Sequence, residues 1–158
     1  MFLHDLFRPE YIKIDLESED KDEAFEEMID HFCHASNLNI RDDFLKALWE
    51  RESKMSTGIQ KGIAIPHGIS PYIKKSYGVL GISSKGIDYD ALDGEPVYLL
   101  FMFLAPINEN EQHLRILKQL SGLLQNPQFY IDLQTQKDAQ SAYKIICKYE
   151  NIVIALDK

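Results

Sequence analysis

Three residues in this chain have the types and settings that chemistry requires: His67, His113 and Arg51. His67 follows the short apolar segment Ile63-Ala64-Ile65 and is bracketed by Gly62 and Pro66 before it and Gly68 after it. Proline fixes its own φ and donates no ladder bond, so this punctuation ends a strand and presents the next side chain at its end. The glycines leave open space above the ring, which a nucleophile or a ligand needs. The competing reading is a histidine hydrogen-bonded inside a tight turn. His113 lies one turn into a helix for which Asn108 and Asn110 are both plausible caps, on the line His113, Leu117, Leu120, Leu124, so it points toward the sheet. A buried structural histidine would sit the same way, but the free amides of the 108–113 helix start also make an anion site. Arg51 closes another helix just before a glycine-bearing turn, where its fork of donors can reach a phosphoryl or carboxylate group. Any exposed arginine offers as much, and only the three together make a site.

Two other clusters carry less. His31, Cys33 and His34 are crowded in sequence, but on a helix Cys33 faces the apolar stripe and His34 the polar side, so three ligands cannot converge and no metal site is expected. Asp88, Asp90 and Asp93 before Gly94 lack calcium-loop spacing, because the position of the bidentate glutamate is Leu99; a solvated turn is the reading.

The elements that must hold these residues follow from periodicity. YIKIDL at 11–16 reads as a short strand, and Asp20 with Glu23 opens a helix over 21–36 whose stripe is Ala24, Phe25, Met28, Ile29, Phe32 and Cys33. A second helix opens near Asn39 and carries Phe44, Leu45, Leu48 and Trp49 to about Glu52, followed by a flexible turn region at Thr57-Gly58 and Lys61-Gly62. Strands are expected at 63–65 and 76–83, with a turn-rich connection at 86–94. The uncharged run 97–105, between Pro96 and Pro106, reads as a strand buried on both faces. A helix to about Gln125 follows, with Leu114, Leu117, Leu120, Leu123 and Leu124 turned inward, and Asn126-Pro127 ends it. Amphipathic stretches at 128–134 and 137–148 come next, and NIVIAL at 151–156 is either a last edge strand or an ordered tail. The expected fold is α/β, one domain over residues 1–158, with a mixed sheet of about five strands packed between helical layers.

Composition narrows the function. The chain has 158 residues, 45% hydrophobic and 27% charged, which is ordinary globular composition for one core. Its net charge of −8 argues against nucleic acid or anionic lipid as a partner bound through a broad basic face. Val97–Ala105, the longest uncharged apolar run, has nine residues against the ~20 of a membrane-spanning helix. Asp5, Arg8, Glu10 and Lys13 interrupt the start too early for a signal peptide, and Cys33 and Cys147 form no disulfide framework; a reducing cytoplasm is the expected location.

The stretch RESKMSTGIQKGIAIPHG (51–68), then GIDYDALDGEPVYLLFMFLAP (86–106) and HLRILKQLSGLLQN (113–126), closely resembles the enzyme IIA domains of the bacterial phosphoenolpyruvate-dependent sugar phosphotransferase system, of the fructose/mannitol superfamily that also holds the nitrogen-regulatory proteins. The resemblance runs from about residue 11 to 148 and implies a mixed sheet between helical layers. It implies that His67 accepts a phosphoryl group as a phosphohistidine intermediate, that His113 assists it and that Arg51 binds the phosphoryl oxygens. It implies no cofactor or metal. The implied donor is an HPr-type phosphocarrier and the implied acceptor a IIB domain or protein, with the membrane involved only indirectly through a IIBC complex. SKGIDYDALDGEPV at 84–97 is closer to the fructose pattern and leans toward sugar transport, with phosphorylation-switched regulation by protein binding as the alternative.

Overall fold

The structure, a computed structural model, describes residues 1–156. Its centre is the strand β6 (Val97–Pro106), in which every residue but Tyr98 is buried. Successive side chains of a strand point to opposite faces. Leu99, Phe101 and Phe103 accordingly enter one core while Leu100, Met102 and Leu104 enter another.

On one side of β6 lies β5 (Tyr77–Ile87), antiparallel to it from Tyr77↔Leu104 to Ile82↔Leu99, and β1 (Ile12–Ile14) runs parallel to β5. On the other side β3 (Ile63–Ala64) and β4 (His67–Ser70) both run parallel to β6, with Ile63 opposite Leu99 and His67 opposite Phe103. β2 (Gly58–Gln60) pairs antiparallel with β3 and completes a mixed six-stranded sheet. Pro66 separates β3 from β4, so one line of chain along β6 becomes two strands and His67 is the first residue of the second.

Helices cover both faces. α2 (Lys21–Ser36) and α3 (Arg41–Glu52) pack on the face of Leu100, Met102 and Leu104. α1 (Leu3–Leu6), α4 (Asn110–Leu124), α5 (Pro127–Gln134) and α6 (Ala139–Leu156) pack on the face of Leu99, Phe101 and Phe103. The single α/β domain with helical layers on both sides of a mixed sheet agrees with the sequence reading.

Several details differ. Residues 151–156 are neither strand nor tail but the last turns of α6. β2 occupies a segment read as turn, β4 forms where the sequence reading assigned no strand, and β5 continues four residues beyond 83 to Ile87. Neither Asn108 nor Asn110 caps α4: Glu109 holds the cap position and makes no side-chain cap bond. The inward face of α4 is rotated as well, with Ile116 buried beside Leu120 and Leu123 while Leu114 is 65% exposed.

Candidate functional site

The site begins with the contact between α3 and β4. A β-carbon on Gly68 would lie 2.7 Å from the Ala47 carbonyl carbon and 2.8 Å from its Cβ, so only glycine lets helix and strand approach this closely. Arg51 stands one turn beyond Ala47 on α3, and His67 directly precedes Gly68, so this approach sets the arginine beside the histidine.

His67 is half-buried, with its ring stacked on Phe103, the residue opposite it in the β4–β6 register (centroids 5.3 Å apart, planes 13° apart). Its Nδ1 lies 2.7 Å from the Ile65 carbonyl oxygen. A carbonyl can only accept, so the ring carries its proton on Nδ1 and keeps the lone pair on Nε2. Burial lowers its pKa below the ordinary value of 6.5; the Ile65 bond opposes that, and the Arg51 charge adds to it. The ring is therefore neutral at neutral pH.

His113 comes from the first turn of α4, with its ring centroid 5.2 Å from that of His67 and 5.0 Å from that of Phe103. Its Nδ1 is buried and has no hydrogen-bond partner among the described residues. A buried lone pair without a partner is tolerated better than a buried N–H, which puts the proton of the neutral ring on Nε2 as a donor. Burial, and secondarily His67, pushes the His113 pKa down to about 4.

Arg51 Nη1 donates to the Met55 carbonyl at 2.8 Å, which folds the guanidinium back over the turn that follows α3. The three residues share one pocket of about 210 Å³, whose wall also includes Lys54 and Glu50. Sequence reasoning missed both, because charged residues beside a turn read as solvated; the only available signal was the placement of Lys54 three residues after Arg51. The amides of the α4 start do not join the wall. Of residues 108–113 only His113 reaches it, and its own N–H is taken by the Glu109 carbonyl at 3.0 Å.

The remaining clusters stay apart from this pocket. His31 Nε2 is 3.1 Å from the Glu10 carbonyl, Cys33 packs against the core beneath α2, and His34 is exposed. Asp93 accepts the amides of Lys61 and Glu95, at 2.9 and 3.0 Å, as an acidic residue ordering a turn does. Among the described residues no helix is long and apolar enough to cross a membrane.

A neutral imidazole with a free nitrogen, a second imidazole at ring distance and two cations on one pocket wall make an arrangement suited to carrying an anionic group on nitrogen. Residues 5–149 match the family described as phosphoenolpyruvate-dependent sugar phosphotransferase system, EIIA 2, and the chain belongs to that family. It is 34% identical over 150 residues to the fructose-specific EIIABC component of Bacillus subtilis, covering 95% of this chain and 24% of that protein, so it spans about a quarter of that relative. The crystal structure of nitrogen regulatory protein IIA-Ntr from Neisseria meningitidis superposes with a TM-score of 0.83 at 30% identity, over 91% of this chain and 98% of that one. A complex of enzyme IIAMTL and phosphorylated enzyme IIBMTL from Escherichia coli shares the fold, with a TM-score of 0.73 at 17% identity over 88% of this chain and 95% of that one.

Proposed function

We propose that the protein is a phosphocarrier in which Nε2 of His67 takes a phosphoryl group from an HPr-type donor and hands it to a IIB acceptor. The observation that carries this reading is the 2.7 Å bond from His67 Nδ1 to the Ile65 carbonyl, which commits one ring nitrogen and leaves the other as the nucleophile. In the transfer, the Nε2 lone pair forms the new bond to phosphorus. The bond from phosphorus to the donor atom breaks, and its electron pair leaves with the donor. The Nδ1 proton stays on the ring, still held by the Ile65 carbonyl, and the positive charge that the new bond leaves on the imidazole is shared between its two nitrogens. Phosphoryl transfer asks for position and charge stabilisation more than for covalent help. Arg51 and Lys54 supply positive charge to the phosphoryl oxygens, and His113 donates from Nε2.

Sugar transport is supported by the fructose-specific relative and by the IIB-bound fold neighbour. A second reading, a phosphorylation-switched regulator acting by protein binding, draws on the likeness to the nitrogen regulatory structure, which does not set it above the first. Incubation with phosphoenolpyruvate, enzyme I and HPr, followed by mass spectrometry, is expected to put one acid-labile phosphoryl group on His67 and none on His67→Ala. Label on His4, His31 or His34 instead would remove the assignment. Rapid discharge onto a fructose- or mannitol-type IIB supports transport. A stoichiometric partner from cytoplasm, whose retention changes in His67→Asp and which accompanies no discharge onto any IIB, supports regulation.

A further inference from the structure

Glu52 follows Arg51 at the end of α3, and its side chain is buried to 1% exposure. A carboxylate removed from water this far must be satisfied at both oxygens. Oε1 accepts the Thr57 N–H at 2.9 Å and lies 3.0 Å from Lys21 Nζ, and Oε2 accepts the Thr57 hydroxyl at 2.6 Å. With the Thr57 proton committed to Glu52, the 2.7 Å contact between the Thr57 and Tyr89 hydroxyls has Tyr89 as donor. The buried carboxylate therefore anchors one residue, Thr57, at its amide and at its side chain together.

Two connections lead from that anchor to the pocket. The Thr57 carbonyl accepts the Ile65 N–H at 3.0 Å, and the Ile65 carbonyl accepts Nδ1–H of His67 at 2.7 Å. In the other direction, the turn that the Glu52–Thr57 bonds close contains Met55, whose carbonyl accepts Nη1–H of Arg51 at 2.8 Å. One carboxylate thus governs both the backbone that sets the nucleophilic nitrogen of His67 and the backbone that aims the fork of Arg51. A buried ion pair contributes little net stability, and in some proteins such a group instead fixes a unique geometry.

We propose that Glu52 is the positioning residue of this pocket, acting through Thr57 and Ile65 on His67 and through the turn carbonyl of Met55 on Arg51. The proposal rests on His67 being the phosphoryl acceptor. Its test is single-turnover phosphoryl uptake from phospho-HPr, together with the ¹⁵N spectrum of the His67 ring, in wild type, Glu52→Gln, Thr57→Val and Thr57→Ser. Phe129→Leu, in the core on the opposite face of the sheet, is the control for lost stability alone.

Glu52→Gln and Thr57→Val are expected to slow uptake roughly 10- to 100-fold, the size of effect that a small misplacement of reacting groups produces. In both, the Nε2–H tautomer of His67 gains population, whereas Thr57→Ser keeps the hydroxyl and stays near wild type. Combining Glu52→Gln with Arg51→Ala costs less than the two separate losses, because they act on one interaction. Uptake within about two-fold of wild type in folded Glu52→Gln or Thr57→Val, or an equal slowing in Phe129→Leu, overturns the proposal. If Glu52→Gln does not fold, Thr57→Val against Thr57→Ser decides it. If wild type takes no label on His67, the proposed function fails on its own account; Glu52 is then judged by the ring spectrum, where an unchanged tautomer in the variants overturns its role.

Discussion

Replacing Gly68 with alanine perturbs the site without changing any side chain to which the proposed transfer assigns a role. Gly68 is not among the residues with positive φ, so alanine meets no backbone strain there and the whole effect is contact. The new Cβ would stand 2.7 Å from the Ala47 carbonyl carbon, where ordinary contact begins at 3.4 Å, so α3 and β4 must separate by at least 0.7 Å (3.4 − 2.7). The obstacle is backbone and cannot rotate away. Forced separation of a packed helix and strand costs roughly 1–3 kcal/mol. The same movement carries Arg51 away from His67, and because a displacement near 1 Å costs on the order of 10² in rate, uptake should fall about 10- to 100-fold. Urea unfolding and single-turnover phosphoryl uptake measure the two effects. Gly122→Ala is the control: among the described residues nothing lies within 4 Å of its added Cβ on α4, so it should gain roughly 0.5–1 kcal/mol and leave uptake unchanged. A Gly68→Ala protein that keeps both wild-type stability and uptake within about two-fold of wild type would refute the close α3–β4 approach as the device that sets the site.

The other consequences concern charge. By NMR titration the His67 ring should protonate with a midpoint below 6.5, and Arg51→Ala should raise that midpoint, since removing a neighbouring cation favours the protonated ring; an unchanged or lowered midpoint contradicts the geometry. Uptake should fall as pH drops through that midpoint and level off above it, because only the neutral ring offers the Nε2 lone pair. Arg51→Ala should slow both uptake and discharge by ~10²–10³, the usual loss on removing one stabiliser of developing charge, while His113→Ala should still accept the group on His67 and pass it on more slowly. Single-turnover rates within a few-fold of wild type in both variants would dissolve the proposed division of roles.

How far the sequence disclosed this molecule depended on element length. α2 is legible from end to end, Lys21 to Ser36, because Asp20 caps it through a 2.9 Å bond to the Glu23 amide and its apolar stripe recurs on three successive turns. Glu23 answers one residue earlier than a capping box requires, accepting from the Glu19 amide at 3.1 Å, and spacing alone does not reveal such a shift. β2, β3 and β4 have two to four residues each, too few for alternation to separate strand from turn. Residues 151–156 carry the β-branched composition of a strand, yet they extend a helix already under way at Ala139, with Val153 packed on the core, so tertiary context overrides propensity. In the site, the three residues that chemistry singles out converge. The buried role of Glu52 was hidden, because a glutamate after an arginine at a helix end reads as a surface charge until Thr57 folds back onto it.

In the proposed transfer, the charges of the pocket account for the division of roles among its residue types. A nucleophilic histidine must be neutral, so the groups that keep it neutral, burial and the adjacent Arg51 charge, prevent it from offering positive charge to the incoming anion. His113 is in the same position, with its pKa at about 4. Positive charge must therefore come from side chains that burial and proximity do not deprotonate, and an arginine whose fork is already oriented by the Met55 carbonyl meets that need. Lys54 adds a second cation on the same wall against the single carboxylate of Glu50. The chain as a whole carries −8, but screening confines surface fields to about 8 Å at physiological salt, so the local sign can differ from the global one. In the proposed transfer a phosphoryl group entering the pocket would meet two neutral rings and two cations against one carboxylate, a local excess of positive charge that the distant acidic surface, screened beyond about 8 Å, does not cancel.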